Sequence, residues 1–237
     1  MLFRTLAALF LALTLPVLAE DAAPKPSDED AKAKAEAVKT ALKGPDAAAK
    51  IAALDAAGGC PHALCAGAAS LAMNDADDAV RIAAAGALGR MKGLELAARA
   101  LHMSLNANLR KPEVAKAIFK AIGTVNHLTS VAIVSEFADK RVPLKDERES
   151  DLAVAAINTL AELKHKAAVE ALLNLYKQQV GIGMGCSNGI HSAPYSAISG
   201  GLHTLTGQTF NSLPGEADAW WRKNKDRFNE DMTERKK

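Results

Sequence analysis

The chain has 237 residues, 49% of them hydrophobic and 24% charged, and carries a formal net charge of +2. That balance is globular, and a charge so close to neutral, with no basic stripe carrying interleaved aromatics, argues against a nucleic-acid or anionic-lipid partner. Aromatic residues make up only 4% while alanine crowds the middle of the sequence, which suits closely packed helices.

The N-terminal residues give an expected address. Arg4 precedes an apolar run, Leu6 to Leu15, too short to cross a bilayer and ending at Val17-Leu18-Ala19 with small residues at the cleavage positions. Residues 1–19 read as a signal peptide cut after Ala19, and losing Arg4 leaves a net charge of +1. No cysteine follows the cut and no later stretch is apolar enough to span a membrane, so the expected product is soluble and either periplasmic or secreted. Residues 20–30, polar and proline-containing, read as a flexible linker. Ser27 with Asp30 resembles a capping box, and Glu29 to Leu42 reads as a helix stopped by Lys43-Gly44-Pro45.

Residues 31–237 then read as a single domain built from repeats. The pattern of Val80 to Gly89 returns as Val114 to Gly123 and again as Leu152 to Ala161, with the apolar and small positions aligned. A degenerate copy, Ala49 to Gly58, precedes the first. A period of this length implies stacked helix pairs, each burying its apolar face against its neighbours. First helices are predicted at 46–57, 78–91, 112–123 and 150–163, and second helices at 61–73, 93–106, 127–139 and 165–179. Gly58-Gly59 before Pro61, Asn74-Asp75-Ala76-Asp77 before Val80, and Pro112 at a first helical position punctuate them. No alternating run is long enough for a strand, so the expected class is all-α, an α-α superhelix of about five helix pairs.

Asn74-Asp75-Ala76-Asp77-Asp78-Ala79-Val80-Arg81, followed by Ala84 and Ala87-Leu88-Gly89, closely resembles the HEAT repeat. The resemblance covers roughly residues 46–180, with units near 46–73, 75–106, 109–139 and 147–179. It implies a ladder of aspartates and arginine between neighbouring units, here Asp75, Asp77 and Arg81, although the next unit carries Leu109, Lys111 and Ala115 at those positions. Leu205 to Phe210, continued by Trp220-Trp221-Arg222-Lys223, looks like the tail that follows HEAT units in some exported bacterial proteins. A degenerate fifth unit is placed at 195–228, and its tryptophans with Phe210 and Phe228 could cover the otherwise exposed end of the stack or offer a stacking platform for a ligand.

One glycine-rich loop, 181–194, interrupts the array, and a small-molecule or metal site would be expected there. Its glycines lack the Gly-Lys-Ser/Thr ending of a phosphate loop and follow no strand. Cys186 and His191 could serve as nucleophile and base, yet no third orienting residue can be named; as metal ligands they would need partners, His203 being the nearest candidate. Cys60 could bridge to Cys65 if it lies just outside the helix started by Pro61, or either could pair with Cys186 or with nothing. No metal site and no cofactor is assigned.

If second helices line the concave side, the groove would present Glu95, Arg99, His102, Ser130, Glu136, Lys166, Glu170 and Lys177. Such a mixed-charge face suits docking of another protein or peptide, or is simply solvated. Two functions are therefore carried forward. One is a non-catalytic exported scaffold using this face and the edge loop; the other is a lyase-like or metal-binding handler of a cofactor or ligand around Cys186, His191 and Tyr195.

Overall fold

Short-range capping chemistry sets where the helices begin. The computed structural model describes residues 26–140, 147–181, 192–210 and 214–235. Ser27 Oγ accepts the Asp30 N–H at 3.2 Å and starts α1 (Asp28–Lys43). Residues 28–30, assigned from sequence to the linker, are thus the first helical turn. Asp46 accepts the N–H groups of Ala48 and Ala49 to start α2 (Ala47–Gly58). His62 Nδ1 accepts the Leu64 N–H at the start of α3 (Ala63–Leu71). Asp77 accepts that of Ala79 to start α4 (Asp78–Gly89). The helices α5 (Glu95–Asn108), α6 (Pro112–Val125), α7 (Thr129–Asp139), α8 (Glu147–Glu162), α9 (Lys166–Gly181), α10 (Ser192–Thr206) and α11 (Pro214–Asn224) follow.

These helices form two layers. α2, α4, α6, α8 and α10 pack side by side in one, and α1, α3, α5, α7, α9 and α11 in the other, each helix touching only near neighbours. The expected all-α superhelix is what the chain forms; among the described residues the only strand-like pairing is an isolated bridge between Phe228 and Glu234.

Small residues let the first-helix layer close up. Ala84, Ala85 and Ala87 of α4, Ala115 and Ala121 of α6, and Ala153 and Ala156 of α8 are buried, with Leu88, Ile118, Ile122, Ile157 and Leu160 between them. At Gly89 the approach is closest: a Cβ there would lie 3.1 Å from both Cα and Cβ of Ala121 on the next first helix. The equivalent Gly123 faces the Glu162 side chain in the same way.

Polar rungs join successive units, though by a different set of residues from the one the HEAT resemblance implies. Asp77 is spent as a cap. Arg81 donates to the Asp75 backbone carbonyl and, at 2.9 Å, to Asn108 Oδ1. The connections between units are Lys50 to Asp75 at 2.8 Å, Arg90 back to Asp55 at 3.0 Å, Lys111 back to Asp78, and Lys116 to Asp151 at 3.2 Å. The Lys50 ammonium and the Asp77 backbone N–H hold the Asp75 carboxyl below the usual carboxylate range.

The C-terminal end is covered. Trp221 and Phe228 are buried and stack at 6.0 Å, with Trp220 5.8 Å from Phe210. The segment after α11 then folds back so that the Lys166 N–H donates to the Glu230 carbonyl at 3.1 Å. The aromatic cluster therefore closes the stack.

Gly89→Val should lower stability by about 1–3 kcal/mol through overpacking against α6. Gly86 sits in the same helix with open space around it, so Gly86→Ala should raise stability by about 0.5–1 kcal/mol. Urea unfolding of both variants beside the wild type checks the pair.

Candidate functional site

The charged residues expected to line a groove divide into two groups. Glu95, Arg99 and Glu170 are exposed, and among the described residues Arg99 and Glu95 make no ion pair. Glu136 is bound to Lys140 one turn on. Lys166 and Lys177 are both ion-paired to the C-terminal segment, although Lys177 itself stays exposed. Lys166 is only 15% exposed, with its ammonium 3.5 Å from Glu230, and Lys177 binds Asp218 of α11 at 2.6 Å. The C-terminal cap takes up both cations because it folds back over α9.

His102 also differs from expectation. Assigned by register to the groove, it is half-buried and its Nε2 lies 3.0 Å from the Ser130 hydroxyl, bridging α5 to α7. Ser130 is fully buried, so it is no groove residue and no accessible nucleophile. Burial, and secondarily His127, push the His102 imidazole below its ordinary pKa.

Of the residues around the edge loop, Cys186 and His191 lie outside the described residues. Tyr195 lies on α10, its hydroxyl 3.0 Å from that of Tyr176 and the rings 5.2 Å apart, an arrangement that ties α10 to α9. Burial and that bond push the Tyr176 phenol upward. His203 has Thr209 Oγ1 within 3.4 Å. Cys60 and Cys65 are both buried and unbridged, and the Cys65 thiol donates to the Ala31 carbonyl at 3.5 Å. Burial and the neighbouring Cys60 thiol push Cys65 up to about 12, which makes it a poor nucleophile near neutral pH. Among the described residues no cluster of three His, Cys, Asp or Glu side chains is placed to hold a metal ion, and no helix is long and apolar enough to cross a membrane.

What the sequence reading missed is apolar. Seven large hydrophobic side chains are exposed among the described residues: Leu64, Leu71, Ile82, Leu96, Met103, Leu128 and Ile133. All but Ile82 belong to the second-helix layer or, for Leu128, to the residue just before α7. A trough of about 460 Å³ runs between α3 and α5, walled by Leu71, Leu96 and Met103 and floored by Ala66, Gly67 and Ala100. A smaller one of about 310 Å³ lies between α5 and α7, bordered by Met103, Ile133 and Phe137. Met103 is the ridge common to both. The signal was present in the sequence as leucines at 64, 96 and 128, one repeat apart.

Chemically, the α3–α5 trough can bind but has no reacting pair. Ser70 and Ser104 donate their hydroxyls to carbonyls of their own helices, at 2.7 and 2.8 Å, and Arg99 is the one ionised side chain in the lining. A second, wider hollow of about 640 Å³ lies where α6 and α8 end, among Lys92, Asn126, Glu162 and Lys164. Burial pushes the Glu162 carboxyl upward there, with Lys120 acting against it.

Residues 152–178, which span most of α8 and α9, match the family model of the PBS lyase HEAT-like repeat. No curated protein matches the chain.

The depressed His102 pKa has a signed consequence. Its unfolded value is near 6.5, so the unfolded chain takes up the proton first as pH falls. The contribution of His102 to stability is complete above that pH and is lost as pH drops through the lower folded value. His102→Gln should therefore lose less stability than the wild type between about pH 7 and about pH 5, read as urea midpoints at the two ends.

Proposed function

We propose that this chain, a HEAT-repeat protein, is an exported scaffold without catalytic activity that holds another protein or peptide against its second-helix face. A solenoid whose units contact only their neighbours leaves an extended surface free along each layer. The observation that carries the reading is where the exposed hydrophobics lie: apart from Ile82, all are on the second-helix side, and Leu71, Leu96, Met103 and Ile133 line adjoining troughs there. Apolar walls of this kind, bordered by hydroxyls and single charges, are what a docking surface needs. They offer no nucleophile with a base and orienting group, so the face supports binding and not turnover. No cofactor and no nucleic acid enter this reading. Export rests on residues 1–19 and their small-residue cleavage site.

The protein recovered from the native exported fraction should begin at Glu20, and affinity capture with it should retain a partner. Leu96→Glu or Met103→Glu should weaken that capture at least about tenfold, as a charge placed in an apolar contact does. Ile82→Glu on the opposite layer, and Cys186→Ser and His191→Ala in the edge loop, should leave it intact. Capture lost with Cys186→Ser and kept by Leu96→Glu would contradict the scaffold and favour a ligand site at the loop.

A further inference from the structure

Leu64 on α3 and Leu96 on α5 stand one repeat apart, and Leu71 and Met103 restate that interval two turns further along the same two helices. Positions separated by two turns of a helix share one face and lie roughly 10.5 Å from each other. Leu71, Leu96 and Met103 wall the α3–α5 trough, and Leu64 stands beside it on the same face of α3. They are 45%, 57%, 47% and 74% exposed in the order Leu64, Leu71, Leu96, Met103, so the fold itself does not need them to be apolar.

The floor has a matching oddity. Gly67 occupies on α3 the register that Arg99 occupies on α5, and a Cβ on Gly67 would meet nothing within 4 Å. A glycine inside a helix weakens it, and here no neighbouring helix requires the absence of a side chain. Unlike the equally open Gly86, Gly67 lines the trough, and a side chain there would fill part of it.

Two properties of the trough select the occupant. Its walls are helices whose backbone groups are already paired, and its serine hydroxyls are bonded to their own helices. An extended peptide lying there would find few partners beyond the Asn74 amide and the Arg99 guanidinium for its N–H and C=O groups, whereas a helix satisfies them internally. The second property is charge. Glu36 and Asp75, which border the Leu71 end, are held by Lys39 and Lys50. Arg99, the one ionised side chain in the trough lining, makes no ion pair among the described residues; Lys43 and Glu95, equally without an ion pair there, both lie outside the lining. The unmatched charge is positive.

We propose that the α3–α5 trough receives an amphipathic α-helix of the partner, its apolar edge seated between Leu71, Leu96 and Met103 and a carboxylate on its flank paired with Arg99. This rests on the scaffold reading of the second-helix face and narrows it to one occupant.

The test is fluorescence anisotropy with the full mature chain and a labelled, capped helical peptide. The probe carries leucines at every third and fourth position along one edge with glutamates beside them; its counterpart has lysines in place of the glutamates. The glutamate peptide should bind at least about tenfold more tightly than the lysine peptide, and Arg99→Glu should reverse that preference. Gly67→Leu fills open space and, by removing a helical glycine, should raise the thermal midpoint while abolishing binding. Equal binding of the two peptides, binding of neither by the wild type, or undiminished binding by Gly67→Leu would overturn the proposal. So would sedimentation showing that the wild type dimerises alone and that Gly67→Leu removes the dimer, because a second copy would then fill the trough. A native partner lost with Leu96→Glu but kept by Gly67→Leu would overturn the helix in the trough while leaving the scaffold standing.

Discussion

The close approach of successive first helices is the constraint on which the rest of the molecule depends. A solenoid has no central core, so each interface between neighbouring units must hold by itself. Here that is achieved with small residues: a glycine at position 89 against Ala121, and alanines through α4, α6 and α8, bring the helices together with large aliphatics filling between. Lysines reaching from one unit to the carboxylates of the next add polar rungs at the same edge. Lys111–Asp78 and Lys116–Asp151 are exposed and each worth little, and only Lys50–Asp75 is largely shielded from water, so packing more than charge sets the spacing.

The second layer is the counterpart of that tight one. α3, α5 and α7 still touch, yet hollows remain between them that are wide enough for side chains of another molecule. Where the array ends, the chain spends its scarce aromatics: Phe210, Trp220, Trp221 and Phe228 cluster over the last units. The same tail consumes Lys166 and Lys177. One end of the face is thereby closed by the chain itself, and the apolar trough at α3 and α5 is left as its distinctive opening.

Most of the architecture was legible because helix starts and stops are local events. Asp46, Asp77 and Pro112 mark the first helices, and the predicted 78–91 and 112–123 differ from α4 and α6 only at their C-terminal ends. The site was less legible. Lys166 and Lys177 look like groove residues by register, and nothing local says that a distant C-terminal segment will fold over them. Ser130 looks polar and therefore exposed, but its hydroxyl is the buried partner of His102. The leucines at 64, 96 and 128 had a periodic signal that attention to charges passed over, since an apolar residue on an amphipathic helix is ordinarily assigned to the core.

The most direct test of the central claim is site-specific photo-cross-linking in the cells that produce the protein. A photoreactive amino acid replaces Met103 in one form of the protein and Ile82 in another. A partner docked on the second-helix face predicts an adduct from position 103 and none from position 82. Adducts from position 82 alone, or equally from both, would contradict it.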